Sequence, residues 1–210
     1  MSHIYLIRHG HTDAVGRYLA SWAPGVPINS QGAAEAERLA SRLRTVPFAA
    51  IYASPLERTM MTAAPLAAAL DLRIRECPAV GEFRFGDWTG RSLTDLNNEP
   101  LWQRFNAFRS GTRAPGGEIM PEVQARMALA LEDIRERHPD QTVAVFSHSD
   151  SIRAALLYYL GMPVDFIHRL RIETASVSIV RLEEWGAEVL RINDTGEWPA
   201  ARYNEDSSSI

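Results

Sequence analysis

Arginine and histidine side chains follow two apolar runs of this chain. Arg8 and His9 come after the first run in the stretch LIRHGHTD, and His148 comes after a later run in the stretch FSHSDSIR. A fourth basic residue, Arg58, follows another apolar run. Guanidinium and imidazole groups together complement a phosphate dianion. A histidine beside such cations has a lowered pKa, so it is neutral and nucleophilic near pH 7, which predicts attack on phosphorus.

Short apolar segments predict the strands that position these residues. They cover residues 3–7, 48–53 and 142–146, and helical spacing of apolar residues predicts intervening helices. One helix follows Ser30 and another covers 121–137. Alternating strands and helices predict an α/β fold, a three-layer α/β/α sandwich with a mainly parallel sheet. Ligands of such sheets bind beyond the carboxyl ends of the strands, so we expect the basic residues to meet at one edge.

Local signals predict how the two helices near the site begin. In Ser54–Glu57 we expect an N-cap serine, a proline at the first helical position and a capping-box glutamate. Pro65 predicts a kink or division of that helix. One of the residues 149–151 is expected to cap the helix after His148. For Asp150 we expect a carboxylate that points at backbone N–H groups, because a carboxylate facing the cavity would repel a phosphate.

The middle and the end of the chain are less regular. Residues 92–109 predict one or two short helices with Trp102, Phe105 and Phe108 facing inward. They belong to an irregular cap or substrate segment, residues 91–120, within a single domain over 1–203. A hairpin is predicted from 176–182 and 188–192, and the polar residues 204–210 predict a disordered tail.

Composition excludes several classes of partner. The chain has 22 Lys+Arg, 26 Asp+Glu and a net charge of -4, without a basic run, so we expect no nucleic-acid partner. Cys77 is the single cysteine, which excludes an internal disulfide. No window reaches the roughly 18 consecutive apolar residues of a membrane helix, so we expect a cytoplasmic protein with no membrane partner. The sequence is compatible with a homodimer.

Five motifs in order resemble the histidine phosphatase superfamily, specifically its phosphoglycerate mutase-like branch. They are LIRHGHTD, SPLERTMMTA, GEFRFGDWTG, PGGE and FSHSDSIR, spread over residues 4 to about 160. The resemblance implies a phosphohistidine mechanism with His9 as the nucleophile. It implies that Arg8, Arg58 and His148 surround the phosphoryl group and that Glu82 gives a proton to the leaving oxygen. It also implies a small phosphate ester as substrate, with no metal and no other cofactor.

Further phosphate contacts are expected from Thr12, His11 and Ser149. Many members of the family carry a glutamate where this chain has His11 and an asparagine where it has Val15. The family often has two glycines after the second histidine, where this chain has Ser149 and Asp150. We therefore expect His11 to replace a missing contact or to extend the cationic rim.

Other interpretations remain open on the residues alone. A phosphoglycerate mutase would use the same residues but return the phosphoryl group to its substrate; the short stretch between Glu82 and Pro115 favours a phosphatase. The spacing of His9 and His11 also fits a metal-dependent hydrolase, and a silent phosphate-binding module is a further alternative. Rival proton donors are Glu76, Asp87 and Glu118. We expect four arginines to lie at the solvated surface: Arg91, Arg104, Arg109 and Arg113.

Overall fold

The computed structural model describes residues 1–196, so the predicted tail at 204–210 lies outside the described residues. Six strands and six α-helices are found in this part of the chain. In chain order they are β1 (Ser2–Arg8), α1 (Ser30–Leu43), β2 (Phe48–Ala53), α2 (Glu57–Leu70), β3 (Ile74–Glu76), α3 (Leu93–Leu96), α4 (Pro100–Ala107), α5 (Met120–Arg137), β4 (Thr142–Ser147), α6 (Ser149–Tyr159), β5 (Val177–Glu183) and β6 (Gly186–Asp194). Short 3₁₀ helices cover Pro78–Val80, Gly86–Trp88 and Val164–Arg169.

The strands form one sheet in the order β3-β2-β4-β1-β5-β6. The first four strands in this order are parallel, whereas β5 and β6 are antiparallel to their neighbours. The mainly parallel sheet is therefore confirmed. Arg8 at the end of β1 pairs with Ser147 of β4, and Ala53 at the end of β2 pairs with Phe146. This register brings the residues after β1, β2 and β4 to the same edge.

Two apolar clusters cover the two faces of the sheet. Ile4 and Leu6 of β1 belong to a cluster that includes the buried faces of α5 and α6. Ile7 belongs to a second cluster with the buried faces of α1 and α2. Successive side chains of a strand point to opposite faces, so this alternation places a helical layer on each side of the sheet. The three-layer α/β/α architecture is confirmed.

Helix α2 begins later than predicted, so the predicted N-cap is wrong. Leu56 occupies the N-cap position and the helix starts at Glu57. The Ser54 hydroxyl instead lies beside His148, as described below. Pro65 does not divide the helix, which continues to Leu70. Proline removes one helical N–H, and the burial of Leu66 and neighbouring alanines against the sheet compensates for that loss.

Most of the remaining predictions agree with the structure. The hairpin is confirmed as β5 and β6, and Trp102 and Phe105 are buried. The inward position of Phe108 is wrong, because α4 ends at Ala107 and Phe108 has φ -141° and ψ 71°. Its side chain therefore leaves the buried face of the helix and is 47% exposed. Strand β3 was missed because three residues are too few to show a period.

Candidate functional site

A cavity of about 320 Å³ opens at the carboxyl edge of the sheet. Residues from the end of β1 and the loop after it, from α2, α3, α4 and α6, and from the loop between β3 and α3 line it. They include Arg8, His9, Thr12, Arg58, Glu82, Asp150 and Arg153. The cavity therefore contains four of the five residues that the sequence places at a phosphoryl site, and His148 lies directly behind it.

His9 is buried at the end of β1, and its hydrogen bonds define which ring nitrogen faces the cavity. Its Nδ1 lies 2.8 Å from the carbonyl oxygen of Gly10. Since a carbonyl only accepts, Nδ1 carries the ring proton and Nε2 keeps its lone pair. The Gly10 N–H donates to Thr62 Oγ1 at 2.8 Å, which anchors this turn to α2. Burial, followed by the charges of Arg8 and Arg58, holds the pKa of His9 well below its ordinary value.

His148 is fully buried after β4, with its ring centroid 5.2 Å from that of His9. Its Nε2 lies 2.9 Å from Ser54 Oγ, which also accepts the backbone N–H of Leu56 at 3.5 Å. The Ser54 hydroxyl proton is therefore available for Nε2, and we assign the ring proton to Nδ1. This Nδ1 is buried without a hydrogen-bond partner among residues 1–196. Burial, followed by Arg58 and His9, lowers the pKa of His148, so the ring is neutral.

Two guanidinium groups supply the positive charge of the cavity. Arg8 donates from Nη1 to the carbonyl of Ile172 at 2.7 Å, and Arg58 donates from Nη2 to the carbonyl of Ser21 at 2.8 Å. Burial lowers the pKa of both side chains, whereas Glu82 raises it. Because the ordinary pKa of arginine lies far above neutral pH, both side chains stay charged. Two partly desolvated like charges are unfavourable together, and a bound dianion would relieve this repulsion.

Glu82 is the carboxylic acid that faces these cations. Its Oε1 accepts the Phe83 N–H at 2.8 Å, and its Oε2 lies 3.9 Å from His148 Nδ1. Burial, followed by Asp150, raises the pKa of Glu82 to about 7, against the opposing effect of Arg58. Desolvation therefore outweighs the opposing charge of the arginines. The side chain exchanges its proton near neutral pH.

The remaining predicted contacts divide into two groups. Thr12 is buried and lines the cavity. His11 and Ser149 are not among the lining residues. The His11 ring lies 3.1 Å from the Asn29 amide, so it faces the start of α1 rather than the cavity, and the His11 backbone N–H donates to Glu35 Oε2 at 2.8 Å.

Asp150 and Arg109 contradict the sequence predictions. His148 takes the N-cap position of α6, and its side chain makes no capping bond. Asp150 lies in the first turn, lines the cavity and pairs with Arg109 at 3.0 Å and Arg153 at 3.3 Å. Arg109 is only 3% exposed, so its predicted surface position is wrong. The departure from two glycines was the one sequence signal at this place.

The described residues offer little support for a metal site at His9 and His11 or for Glu118 as the proton donor. Within residues 1–196, no group of three or more histidine, cysteine, aspartate or glutamate side chains is arranged to hold a metal ion. His11 Nδ1 faces the Asn29 amide, so the His9 and His11 spacing does not belong to such a group. Of the rival acids, Glu118 is paired with Arg126 at 3.0 Å. No helix in the same part of the chain is both long and apolar enough to cross a membrane.

Comparison with known proteins agrees with this geometry. Residues 4–195 match the profile of the histidine phosphatase superfamily (branch 1). Phosphoserine phosphatase 1 of Hydrogenobacter thermophilus is 31% identical over 93% of each chain. A probable phosphoglycerate mutase, GpmB, of an Enterobacter species is 30% identical over 88% of this chain and 86% of the relative. The structure of YhfR of Bacillus stearothermophilus superposes with a TM-score of 0.87 at 26% identity, covering 92% and 98% of the two chains.

Proposed function

Because the chain belongs to the histidine phosphatase superfamily, we propose that it is a phosphatase that hydrolyses small phosphate monoesters through a phosphohistidine on His9. The observation that carries this proposal is the state of His9. Its Nδ1 is bound to the Gly10 carbonyl, and burial beside two arginines keeps the ring neutral. A lone pair on Nε2 is thereby available next to a cavity that favours a dianion.

The first step transfers the phosphoryl group to the protein. Arg8, Arg58 and the Nδ1–H of His148 hold the phosphate oxygens, and Thr12 adds a contact. The Nε2 lone pair of His9 forms the bond to phosphorus while the phosphorus–oxygen ester bond breaks. The protonated carboxyl of Glu82 gives its proton to the departing oxygen, so the alcohol leaves neutral. The arginines stabilise the charge that spreads over the equatorial oxygens.

The second step restores the protein. Glu82, now a carboxylate, takes a proton from a water molecule as the water oxygen bonds to phosphorus. The phosphorus–nitrogen bond breaks, its electron pair returns to His9 Nε2, and inorganic phosphate leaves. A carboxyl group with a pKa near 7 is suited to both roles, since each protonation state is populated at neutral pH.

The rest of the cavity wall determines which alcohol part the substrate can carry. We assign no substrate contact to His11, whose ring lies against the Asn29 amide, or to Ser149, which does not line the cavity. His148 is also outside the lining, but its ring lies against His9 and Glu82, which do line the cavity. The segment 91–120 contributes Leu93, Trp102, Asn106 and Arg109 to the cavity wall. In this proposal that segment selects the alcohol part of the substrate, within the same single domain as the phosphoryl site.

A phosphoglycerate mutase is the second candidate, because several 30% identical relatives are named as probable phosphoglycerate mutases. Hydrolysis is favoured by the short stretch between Glu82 and Pro115 and by the relative named as a phosphatase. The test incubates the protein with 3-phosphoglycerate and a bisphosphoglycerate primer. Release of inorganic phosphate without accumulation of 2-phosphoglycerate supports hydrolysis. Rapid exchange of the two isomers without phosphate release would establish the mutase, and His9→Ala serves as the inactive control beside His3→Ala.

A further inference from the structure

A second charged cluster lines the cavity, and no bond to any of its atoms forms or breaks in the two chemical steps above. We call it the Arg109–Asp150–Arg153 cluster after its three members. Asp150 Oδ2 accepts from Arg109 Nη1 at 3.0 Å, and Asp150 Oδ1 accepts from Arg153 Nη1 at 3.3 Å. The Asp150 side chain is 14% exposed, so the carboxylate is held at the cavity wall rather than in solvent.

The two arginines of the cluster differ in their hydrogen bonds and in the exposure of their side chains. Arg109 also donates to Asn106 Oδ1 at 2.8 Å, and its guanidinium lies 4.1 Å from the centre of the Phe105 ring. Its side chain is 4% exposed, so it holds Asp150 in place. Within residues 1–196, Arg153 donates to Asp150 alone, through the longer of the two bonds. Its side chain is 21% exposed, which leaves N–H groups for an acceptor in the cavity.

The charges of the cavity also point to a second anionic group. A phosphate dianion offsets Arg8 and Arg58. The cluster has two guanidinium groups and one carboxylate, which leaves one positive charge. Asp150 raises the pKa of Arg8 and Arg153 lowers it, and all three side chains line the same cavity, so the cluster lies close to the phosphate end. A cavity of about 320 Å³ lies at the lower end of the range of about 300–1,000 Å³ for small-molecule sites, which limits the ligand to a short molecule.

We propose that the Arg109–Asp150–Arg153 cluster recognises the alcohol part of the substrate, and that the substrate class is a short phosphorylated acid. Its carboxylate binds Arg153, and a hydrogen-bond donor on the adjacent carbon binds Asp150. The donor is either a hydroxyl or an ammonium group, since a carboxylate accepts from both. This proposal rests on the proposed phosphatase function, because it assigns the second half of the same cavity.

The test compares five phosphate esters by kcat/KM. Phosphoserine carries a carboxylate and an ammonium group, and 3-phosphoglycerate carries a carboxylate and a hydroxyl. Phosphoethanolamine and glycerol 3-phosphate are the matching esters without a carboxylate, and p-nitrophenyl phosphate has none of these groups. In the native protein we expect each acid to exceed its carboxylate-free partner by about 10- to 100-fold, the range of one charge-assisted hydrogen bond.

Arg153→Gln should lower each of these ratios by about the same 10- to 100-fold factor, whereas Arg153→Lys should keep part of the preference. Arg137→Gln, which removes an exposed arginine of α5, is the matched control and should keep every ratio. For Asp150→Asn, a larger loss with phosphoserine identifies an ammonium donor. Similar losses with both acids identify a donor that needs no charge.

Three results would overturn the inference. One is a native protein without preference for the acids, and another is an Arg153→Gln variant that slows all five esters by one common factor. The third is an Asp150→Asn variant that changes neither acid, which would remove Asp150 from recognition. In all three cases phosphate is still released, so the proposed function survives. A native protein that releases phosphate from none of the esters would remove the proposed function and this inference together.

Discussion

Replacing Glu82 by glutamine removes the titrating proton of the cavity and little else. The amide keeps an oxygen for the Phe83 N–H, which now bonds Oε1 at 2.8 Å. It has nearly the same volume as the carboxyl group, and it is neutral, as the native side chain is below pH 7. The change therefore isolates proton donation from positioning. Because the proposed first step needs that proton only for a basic leaving group, the effect depends on the substrate.

The magnitude follows from the pKa of Glu82, which burial and Asp150 raise to about 7. Above that pH the acid form falls tenfold for each unit, so phosphorylation of His9 by an alkyl phosphate should fall with the same slope. Loss of a general acid costs about 10²- to 10⁴-fold. An alkoxide is a strongly basic leaving group and should show that full loss in Glu82→Gln. The p-nitrophenolate ion is stable without a proton and should show only a mild loss.

The assay is single-turnover formation of phosphoenzyme between pH 5.5 and 9, with glycerol 3-phosphate and p-nitrophenyl phosphate. Steady-state rates would also depend on hydrolysis of the phosphoenzyme, the second step, in which Glu82 acts as the base. Asp87→Asn is the matched control, because Asp87 lies in the same GEFRFGDWTG stretch but does not line the cavity. Equal losses with both substrates, or a native alkyl phosphate rate that stays flat above pH 7, would refute the role of Glu82 as proton donor.

Glu82→Gln should also change how stability depends on pH. The pKa of Glu82 in the folded protein exceeds its ordinary value of 4.5, so the native chain loses up to about 3 kcal/mol of unfolding free energy as the pH rises from 4.5 to 7. Urea titrations at pH 5 and 8 should show this loss in the native protein and not in the variant. Ser54→Ala removes the partner of His148 Nε2 and should lower kcat/KM by about 5- to 10-fold, with unchanged values contradicting the assigned tautomer. Gly32→Ala would place a Cβ 2.2 Å from the backbone oxygen of His11 and should lower the unfolding free energy by about 1–3 kcal/mol. Gly186→Ala is the control, because its Cβ would enter open space. Similar thermal midpoints for the two variants would contradict the close packing of Gly32 against His11.

The sequence predicted the parts of the fold that have a long periodic signal. The helix at 121–137 is an example, since a buried face repeats through it, and the strand at 48–53 could be predicted as a short apolar run that is buried almost throughout. Arg8, His9 and His148 could be placed because each directly follows or ends a buried strand, and parallel strands end at one edge. The meeting of these three residues therefore followed from local pattern and sheet geometry, whereas the role of Glu82 came from the resemblance to the histidine phosphatase superfamily.

Local sequence patterns do not predict contacts between segments that lie far apart in the chain. Asp150 meets Arg109 across 41 positions of the chain, in a segment without periodicity, and the local capping rule gave the wrong orientation. The protonation of Glu82 depends on the balance between desolvation and two cations, which requires the folded surroundings. Ser54 shows the same limit, because its hydroxyl was assigned to a nearby helix end but bonds a histidine from β4.

The central claim is that His9 Nε2 carries the phosphoryl group during turnover. The direct measurement quenches the protein with ³²P-labelled substrate in alkali, where a phosphohistidine is stable, and then maps the labelled peptide. The phosphohistidine mechanism predicts an acid-labile, base-stable label on the peptide that contains His9, lost in His9→Ala and kept in His3→Ala. A label that persists in His9→Ala, or hydrolysis at the native rate without any labelled peptide, would contradict a phosphohistidine on His9.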